Sequence, residues 1–510
     1  MLRRLTGKPD HPMADLKEAR RLLAELSLGD PVDALEHVTH WTQSLAGTEG
    51  FTVDERIKRY LLLDEAAQPH QRRVARSFFA IVGTGPFQEH RLGNVLSACW
   101  STFAEAYRSA LEQVAAKARG AKHAGPLLPL VVARGFRAYA QQLKWSLMRY
   151  LPPEAELWHG LAMIYAFGEE RGVLHSPVEL YPTVACPVLP VQELLKALML
   201  WLAAPDTLSP RKLEIAERLT AHLAGHFRLA RSEGATVVYY FNLERPGSPT
   251  RAGPTVQEKP HRRFISAGEA WPQLSHLAEK VARAGVPPEI DGGLSLEPSM
   301  VIDVLRHLER HWSPSPPVRR EARHRSAVPL GVAIGFDQAV QVLQGLEAGL
   351  GDTVQSWTAE NISSGGFSAQ LPRRSAERLQ VGTLLSIQPE GACQWGVGVV
   401  RRLSRGDRAQ VGVETLAHTA ALVSVQVESN PSLTTHAGGQ AHPGILLGEG
   451  VSEGEVRLVL KGGLYAPGRR LLMSLGGQAC LLVPIALERR EDEFDVGRFR
   501  VMERGPEAND

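Results

Sequence analysis

The prevailing period of the apolar residues in this chain changes near Arg325, and that change constrains the fold more than any other feature. From Asp15 to about Arg231 they return every three or four positions, as in Leu16, Leu22, Leu23 and Leu26 and again in Ile57, Tyr60, Leu61 and Leu63. Such spacing lines one face of a helix. After Arg325 the runs become short and alternating: Val328–Ile334, Phe367–Leu371, Leu384–Gln388, Val397–Arg401, Val411–Glu414 and Leu422–Val427. Glycines and charges separate them at the intervals of a small barrel. The expected fold class is therefore multidomain α+β: an all-α N-terminal bundle or set of helical hairpins, an antiparallel β-barrel, and a small C-terminal β unit.

At 510 residues the chain exceeds one ordinary core, since domains run to roughly 100–200 residues. The expected divisions are 1–232 for the helical domain, 233–316 for a mixed connecting region, 317–430 for the barrel and 440–504 for the C-terminal β-rich unit. Pro31, Pro69, Pro126, Pro152, Pro153, Pro182 and Pro205 are read as breaks between helices, where a missing N–H does least damage. Trp158, Leu161 and Tyr165 lie along one helical face in a loose tetratricopeptide-like pattern with no second copy, so they are read as ordinary core. Thr236–Phe241 reads as a strand, Arg245–Pro260 as a linker, and Ala267–Ala284 and Glu297–Trp312 as helices closed by Ser313-Pro314-Ser315-Pro316-Pro317. Asp337–Trp357 has helical spacing in Val340, Val342, Leu343 and Leu346 and reads as an insertion. The last strand-like runs, from Gly444 to Met502, form either a second barrel or the completion of the first.

Composition excludes several classes. Lys+Arg at 57 against Asp+Glu at 55 leaves a formal net charge of +2, too little for a partner as strongly anionic as bulk nucleic acid. Cys99, Cys186, Cys393 and Cys480 form no CxxC pair, and they are expected to be reduced and mostly buried. The N-terminal segment has no apolar run of a secretory signal, and no clean stretch of about 18 apolar residues follows. A cytoplasmic protein is expected. No P-loop, HExxH, GxSxG or GxGxxG at a strand-to-helix junction is present, so no enzyme is expected. His222 and His226 have i, i+4 spacing but no third ligand nearby, and no metal site is assigned.

Two polar clusters carry chemistry. Arg319-Arg320-Glu321-Ala322-Arg323-His324-Arg325 directly precedes the first barrel strand, and Glu360-Asn361-Ile362-Ser363-Ser364-Gly365-Gly366-Phe367 opens the next. With Trp395–Arg402 and Val411–Glu414 they make about a fifth of the chain resemble the PilZ domain family, in which an RxxxR loop precedes the barrel and a [D/N]xSxxG motif lies on its surface. Arg319 and Arg323 fit the first pattern; Arg320 and Arg325 are secondary candidates; Asn361, Ser363 and Gly366 fit the second, with Gly365 beside it. The resemblance implies that these residues grip the bacterial second messenger cyclic di-GMP, commonly as a stacked dimer, with no other cofactor. It also places such proteins in control of motility, pili, biofilm or attachment.

The residue types suit that ligand on chemical grounds. A guanine edge offers O6 and N7 to the two-donor fork of an arginine, which also binds phosphate and stacks on base faces. Asn and Ser add directional hydrogen bonds, and the Gly pair is read as removing side chains where ligand approaches backbone. GGDEF and EAL signatures are absent, so the chain reads as a receiver of the signal that couples it to an unidentified protein partner through the helical domain. The alternatives are a non-catalytic scaffold with a degenerate barrel and, third, a nucleic-acid-binding barrel. The latter would need exposed aromatics, whereas Trp357, Phe367 and Trp395 are expected in the core.

Overall fold

The computed structural model describes residues 9–26, 28–83, 85–182, 186–232, 239–252, 259–316, 324–345, 353–363, 365–428, 440–448, 453–475 and 478–503. The chain divides into two compact units, Met1–Val318 and Arg319–Asp510.

In the first unit the helical spacing produces α1 (Leu16–Leu26), α2 (Pro31–Gly47), α3 (Val53–Ile81), α4 (Pro86–Ala115), α5 (Leu128–Met148), α6 (Ala155–Glu170), α7 (Pro190–Leu202) and α8 (Pro210–His222). Their starts are encoded locally. Asp30 accepts from the Val32 and Asp33 N–H groups ahead of Pro31, and the Ser209 hydroxyl accepts from Lys212 N ahead of Pro210. Pro69 departs from expectation, because α3 runs through it. The lost main-chain bond costs about 3 kcal/mol in a helix interior. Burial of Ile57, Tyr60, Leu61 and Leu63 before it, and of Val74 and Phe78 after it, outweighs that at about 1.5–3 kcal/mol per side chain.

The stretch expected to be a connector belongs to the same core. Strands β1 (Arg228–Ala230), β2 (Tyr239–Asn242), β3 (Thr250–Arg251) and β4 (Arg262–Ser266) make a sheet in the order β1-β4-β2-β3, followed by α9 (Ala270–Ala284), α10 (Pro288–Asp291) and α11 (Pro298–His311). Phe241, Ile265, Leu274, Val301 and Leu308 join the buried cluster that holds Leu61, Phe136 and Leu194. The apolar faces of these short elements were too small to bury anything alone, and they complete the helical core instead. Of the expected strand at Thr236–Phe241, residues 236–238 lie outside the described residues. Trp158, Leu161 and Tyr165 are buried on α6, as ordinary core. His226 sits in a 3-10 turn beyond the end of α8, so it does not share a helix with His222. No described helix is long and apolar enough to cross a membrane.

Inside this unit Arg134 of α5 is almost fully buried, and each of its three nitrogens donates a hydrogen bond. Its Nε donates to Leu180 O at 2.9 Å, Nη1 to Leu61 O at 3.0 Å and Nη2 to Glu65 Oε1 at 2.7 Å. Tyr107 and Tyr181 donate to Asp64 next to it. Cys99 is buried, which pushes its thiol up to about 12. The other thiols correct the expectation: Cys186 and Cys393 are exposed and Cys480 is half-buried.

The second unit holds two closed antiparallel barrels. The first has β5 (His324–Ile334), β6 (Val354–Ser363), β7 (Gly366–Leu371), β8 (Leu384–Pro389), β9 (Gly396–Arg405) and β10 (Ala409–Ala417), ordered β10-β7-β6-β5-β8-β9, with α12 (Phe336–Leu343) and α13 (Arg373–Glu377) in its connections. The second has β11 (Ala420–Val427), β12 (His442–Leu447), β13 (Glu455–Lys461), β14 (Leu471–Leu475), β15 (Gln478–Arg490) and β16 (Phe494–Glu503), ordered β11-β12-β13-β16-β15-β14.

Two boundaries differ from the sequence expectation. The run Leu422–Val427 leaves the first barrel: β11 pairs with β12 and β14, reached from β10 through His418 and Thr419 alone. Alternation continues across that junction, so no composition shift marks it. The expected helical insertion ends at Leu343, residues 346–352 lie outside the described residues, and Val354–Trp357 starts β6. There Trp357 and Ala359 are buried while Ser356 and Thr358 are exposed, the two-residue period of a strand. The barrels also share a core, in which Phe336 and Val340 of α12 pack with Leu384 and Val397 of the first and Ile445, Phe494 and Val496 of the second.

Candidate ligand-binding face of the first barrel

The register of the first barrel sets the last two residues of the arginine cluster beside the Asn361 cluster. Arg325 of β5 lies directly opposite Asn361 of β6, and His324 opposite Ile362. Asn361 is in turn opposite Ser368 of β7, Ser368 opposite Gly412 of β10, and Gly412 opposite Arg402 of β9. Directly paired residues on neighbouring strands share a face. One row therefore crosses five strands, a width of roughly 19 Å at about 4.8 Å per strand.

The neighbouring row, through Phe367 and Val413, is buried, so the row of Asn361 lies on the outer face. The side chains on it agree: Asn361 and Ser368 are half-buried and Arg402 is exposed. Asn361 Nδ2 donates to Ser368 Oγ at 3.2 Å. Gly412 puts a bare patch between Ser368 and Arg402. The sequence assigns no site role to Ser368, Gly412 or Arg402, because only the register places them beside Asn361. Arg319, Arg320 and Arg323 lie outside the described residues. For Arg325 the backbone position alone is described.

The turn between β6 and β7 separates the roles of its glycines. Gly366 has φ +151°, and a Cβ there would lie well inside contact distance of Val413 O and 3.0 Å from that carbonyl carbon. Its bare Cα is required by β10, whatever it also offers a ligand. A Cβ on Gly365 would meet nothing within 4 Å, and Gly365 is exposed. Gly365 O accepts from Thr415 N at 3.1 Å, and the Ser363 hydroxyl donates to Gly366 O at 3.1 Å. Ser363 thus closes the turn on which Gly365 is presented.

Beside this turn a cavity of about 490 Å³ opens between strand ends, lined by Ile362, Ser363, Phe367, Thr415 and His418 among others. Its walls are mainly apolar, with Ser363, Gln394, Thr415, His418 and Thr419 as polar members. On the flank of the barrel, Glu414 of β10 receives Arg401 at 3.1 Å and Arg489 of the second barrel at 2.9 Å. The second barrel therefore braces the strand against which Gly366 packs.

Comparison with known families accords with this architecture. Residues 352–421 match the model described as "Cyclic-di-GMP receptor FimW, middle PilZ domain", and residues 17–233 match "Cyclic-di-GMP receptor FimW, N-terminal domain". The helical region, which the sequence reading did not assign to any family, is thus recognised as well. The first match takes in β6 to β10, while β5 and Arg319–Arg325 precede it. No curated protein and no solved structure matches the chain. Its six strands, with the Asn361–Gly366 motif running from β6 into β7, and the match over residues 352–421 identify the first barrel as a PilZ domain.

Proposed function

We propose that this protein is a non-catalytic receptor for cyclic di-GMP, held on the outer face of the first barrel. The register of Arg325 opposite Asn361 carries the reading, because it joins the arginine segment to the Asn-Ser-Gly motif. Arg323 is one residue from His324 and Arg319 five, so covalent reach keeps the whole RxxxR segment within about 18 Å of β5. Arginines in that radius can fork onto guanine O6 and N7 or onto phosphate. Asn361, Ser368 and Arg402 supply fixed polar contacts on the barrel, and Gly365 and Gly412 let the flat rings approach. Arg320 and Arg325 remain secondary members, and Ser363 acts by holding the turn.

The arginine segment begins where the first unit ends, between Val318 and Arg319. Ligand that fixes Arg319–Arg325 on the barrel therefore acts on the chain directly at the junction of the two units, and this is the proposed switch. Its effect is limited to the difference in ligand affinity between the two states. The output is a protein partner contacted by the helical unit in the cytoplasm, in control of motility, pili or biofilm.

The test is titration of cyclic di-GMP into the full chain and into Asn361→Ala and Arg402→Ala variants. Affinity lost by about tenfold or more in each, with unchanged thermal stability, supports the outer face as the site; a lost polar contact to a charged ligand is worth about 1.5–3 kcal/mol. Binding unaltered in both variants would remove the face from the account.

A further inference from the structure

We propose that the helical unit contains a second ligand site, a cavity among α3, α5, α7 and α8 that binds a phosphate-bearing small molecule with hydroxyl or amine donors. It is independent of the barrel and of the cyclic di-GMP reading. Its volume is about 410 Å³, within the usual range for small-molecule pockets.

The charges lining it do not balance. Glu193, Glu214 and Glu217 face Arg72, Arg76, Arg137, Lys144, Lys196 and Arg218. The carboxylates already have cations: Lys196 at 2.5 Å from Glu193, Lys144 at 2.6 Å from Glu214 and 3.3 Å from Glu217, and Arg218 at 2.8 Å from Glu214. Arg137 has only long approaches, 4.0 Å to Glu193 and 3.8 Å to Glu217. Arg72 and Arg76 stand one helical turn apart on α3 and are exposed at the mouth. Three positive charges are thus in excess inside and at the rim, which suits a phosphate group with its two negative charges better than a neutral guest.

Ion pairs that merely join helices fill their space and pair their atoms, since an unmatched buried polar atom is costly. This cluster pairs its carboxylates but leaves a cavity and three atoms unmatched. Gln71 Oε1, Glu193 Oε2 and Arg137 Nε are buried without a hydrogen-bond partner among the described residues. Gln71 is 4% exposed and Glu193 0%. The arginine calls for an acceptor; the two acceptors call for donors. Water could serve the acceptors, but it would not neutralise the excess charge. A guest with a phosphate and hydroxyl or amine groups meets both demands, with Trp145 and Tyr181 as apolar walls.

The test uses the full chain and three probes: inorganic phosphate, ribose 5-phosphate and GMP, titrated by calorimetry. The expected result is saturable binding of at least one organic phosphate, weakened about tenfold or more in Arg72→Glu/Arg76→Glu, as expected when two charges at a site mouth are reversed. Arg137→Gln should abolish it. Because Arg137 is partly buried and its variant could fail to fold, the exposed pair carries the decision. Arg319→Ala/Arg323→Ala should leave this binding intact, which separates it from the barrel site. No saturable binding by any of the three probes, or binding insensitive to the Arg72/Arg76 reversal, overturns the proposal.

Discussion

Replacing Gly366 with alanine separates what the β6–β7 turn needs for its own structure from what it offers a ligand. The new Cβ would press into the Val413 main chain, 3.0 Å from its carbonyl carbon and nearer to the oxygen, at φ +151°. Neither atom belongs to a flexible side chain, so β7 must pull away from β10 along the Phe367–Val413 and Gly366–Glu414 pairs. Unfavourable backbone torsion costs about 1–3 kcal/mol and overpacking about 1–3 kcal/mol, so a loss of about 2–4 kcal/mol is expected, part of the strain being shared. Gly365→Ala meets open space and should change stability by less than about 0.5 kcal/mol, like other surface substitutions. Urea unfolding of the two variants reads the difference, and titration with cyclic di-GMP reads the ligand. Gly365→Ala should weaken binding with stability intact, whereas Gly366→Ala should lose both. Equal stability for the two variants would refute the packing argument.

Three further outcomes follow from particular contacts. Phe494→Ala, in the core shared by the barrels, should cost about 3–5 kcal/mol and speed hydrogen exchange in β8 and β9 as well as in β16; an effect confined to the second barrel would mean that the two do not unfold together. Burial pulls the Glu169 carboxyl upward, but its bonds from Arg263 and Tyr165 outweigh that and hold it below the ordinary value of 4.5. A depressed carboxyl stabilises the fold fully above its unfolded value and loses that as pH falls through the folded one. Glu169→Gln should therefore lower stability by about 1–2 kcal/mol at neutral pH, with the gap closing in acid, as urea unfolding across that range would show. Ser368→Ala removes the partner of Asn361 Nδ2, and it should reduce cyclic di-GMP affinity while stability moves by less than about 1 kcal/mol.

Periodicity made the two halves legible, because burial acts on every third or fourth residue in one and on alternate residues in the other. It did not reveal where one barrel ends. Val411–Glu414 and Leu422–Val427 have the same alternation, and only hydrogen-bond pairing assigns them to different barrels. Pro69 misled for a related reason: a local cost is visible in sequence, while the burial that outweighs it is spread over six distant positions. At the candidate site the Asn-Ser-Gly motif was legible as a contiguous cluster. Ser368, Gly412 and Arg402 were not, since residues on three separate strands become neighbours only through register. Gly366 was legible as a glycine required at its position, but the backbone that requires it lies 47 residues away in β10.

In the proposed function Arg319 and Arg323 act together with the Asn361 face on one ligand. Calorimetric titration of cyclic di-GMP into the wild-type chain and into Arg319→Ala/Arg323→Ala tests it most directly. Saturable binding is expected in the first and none in the second, with both proteins equally stable. Absence of binding in the wild type, or equal affinity in the double variant, would contradict it.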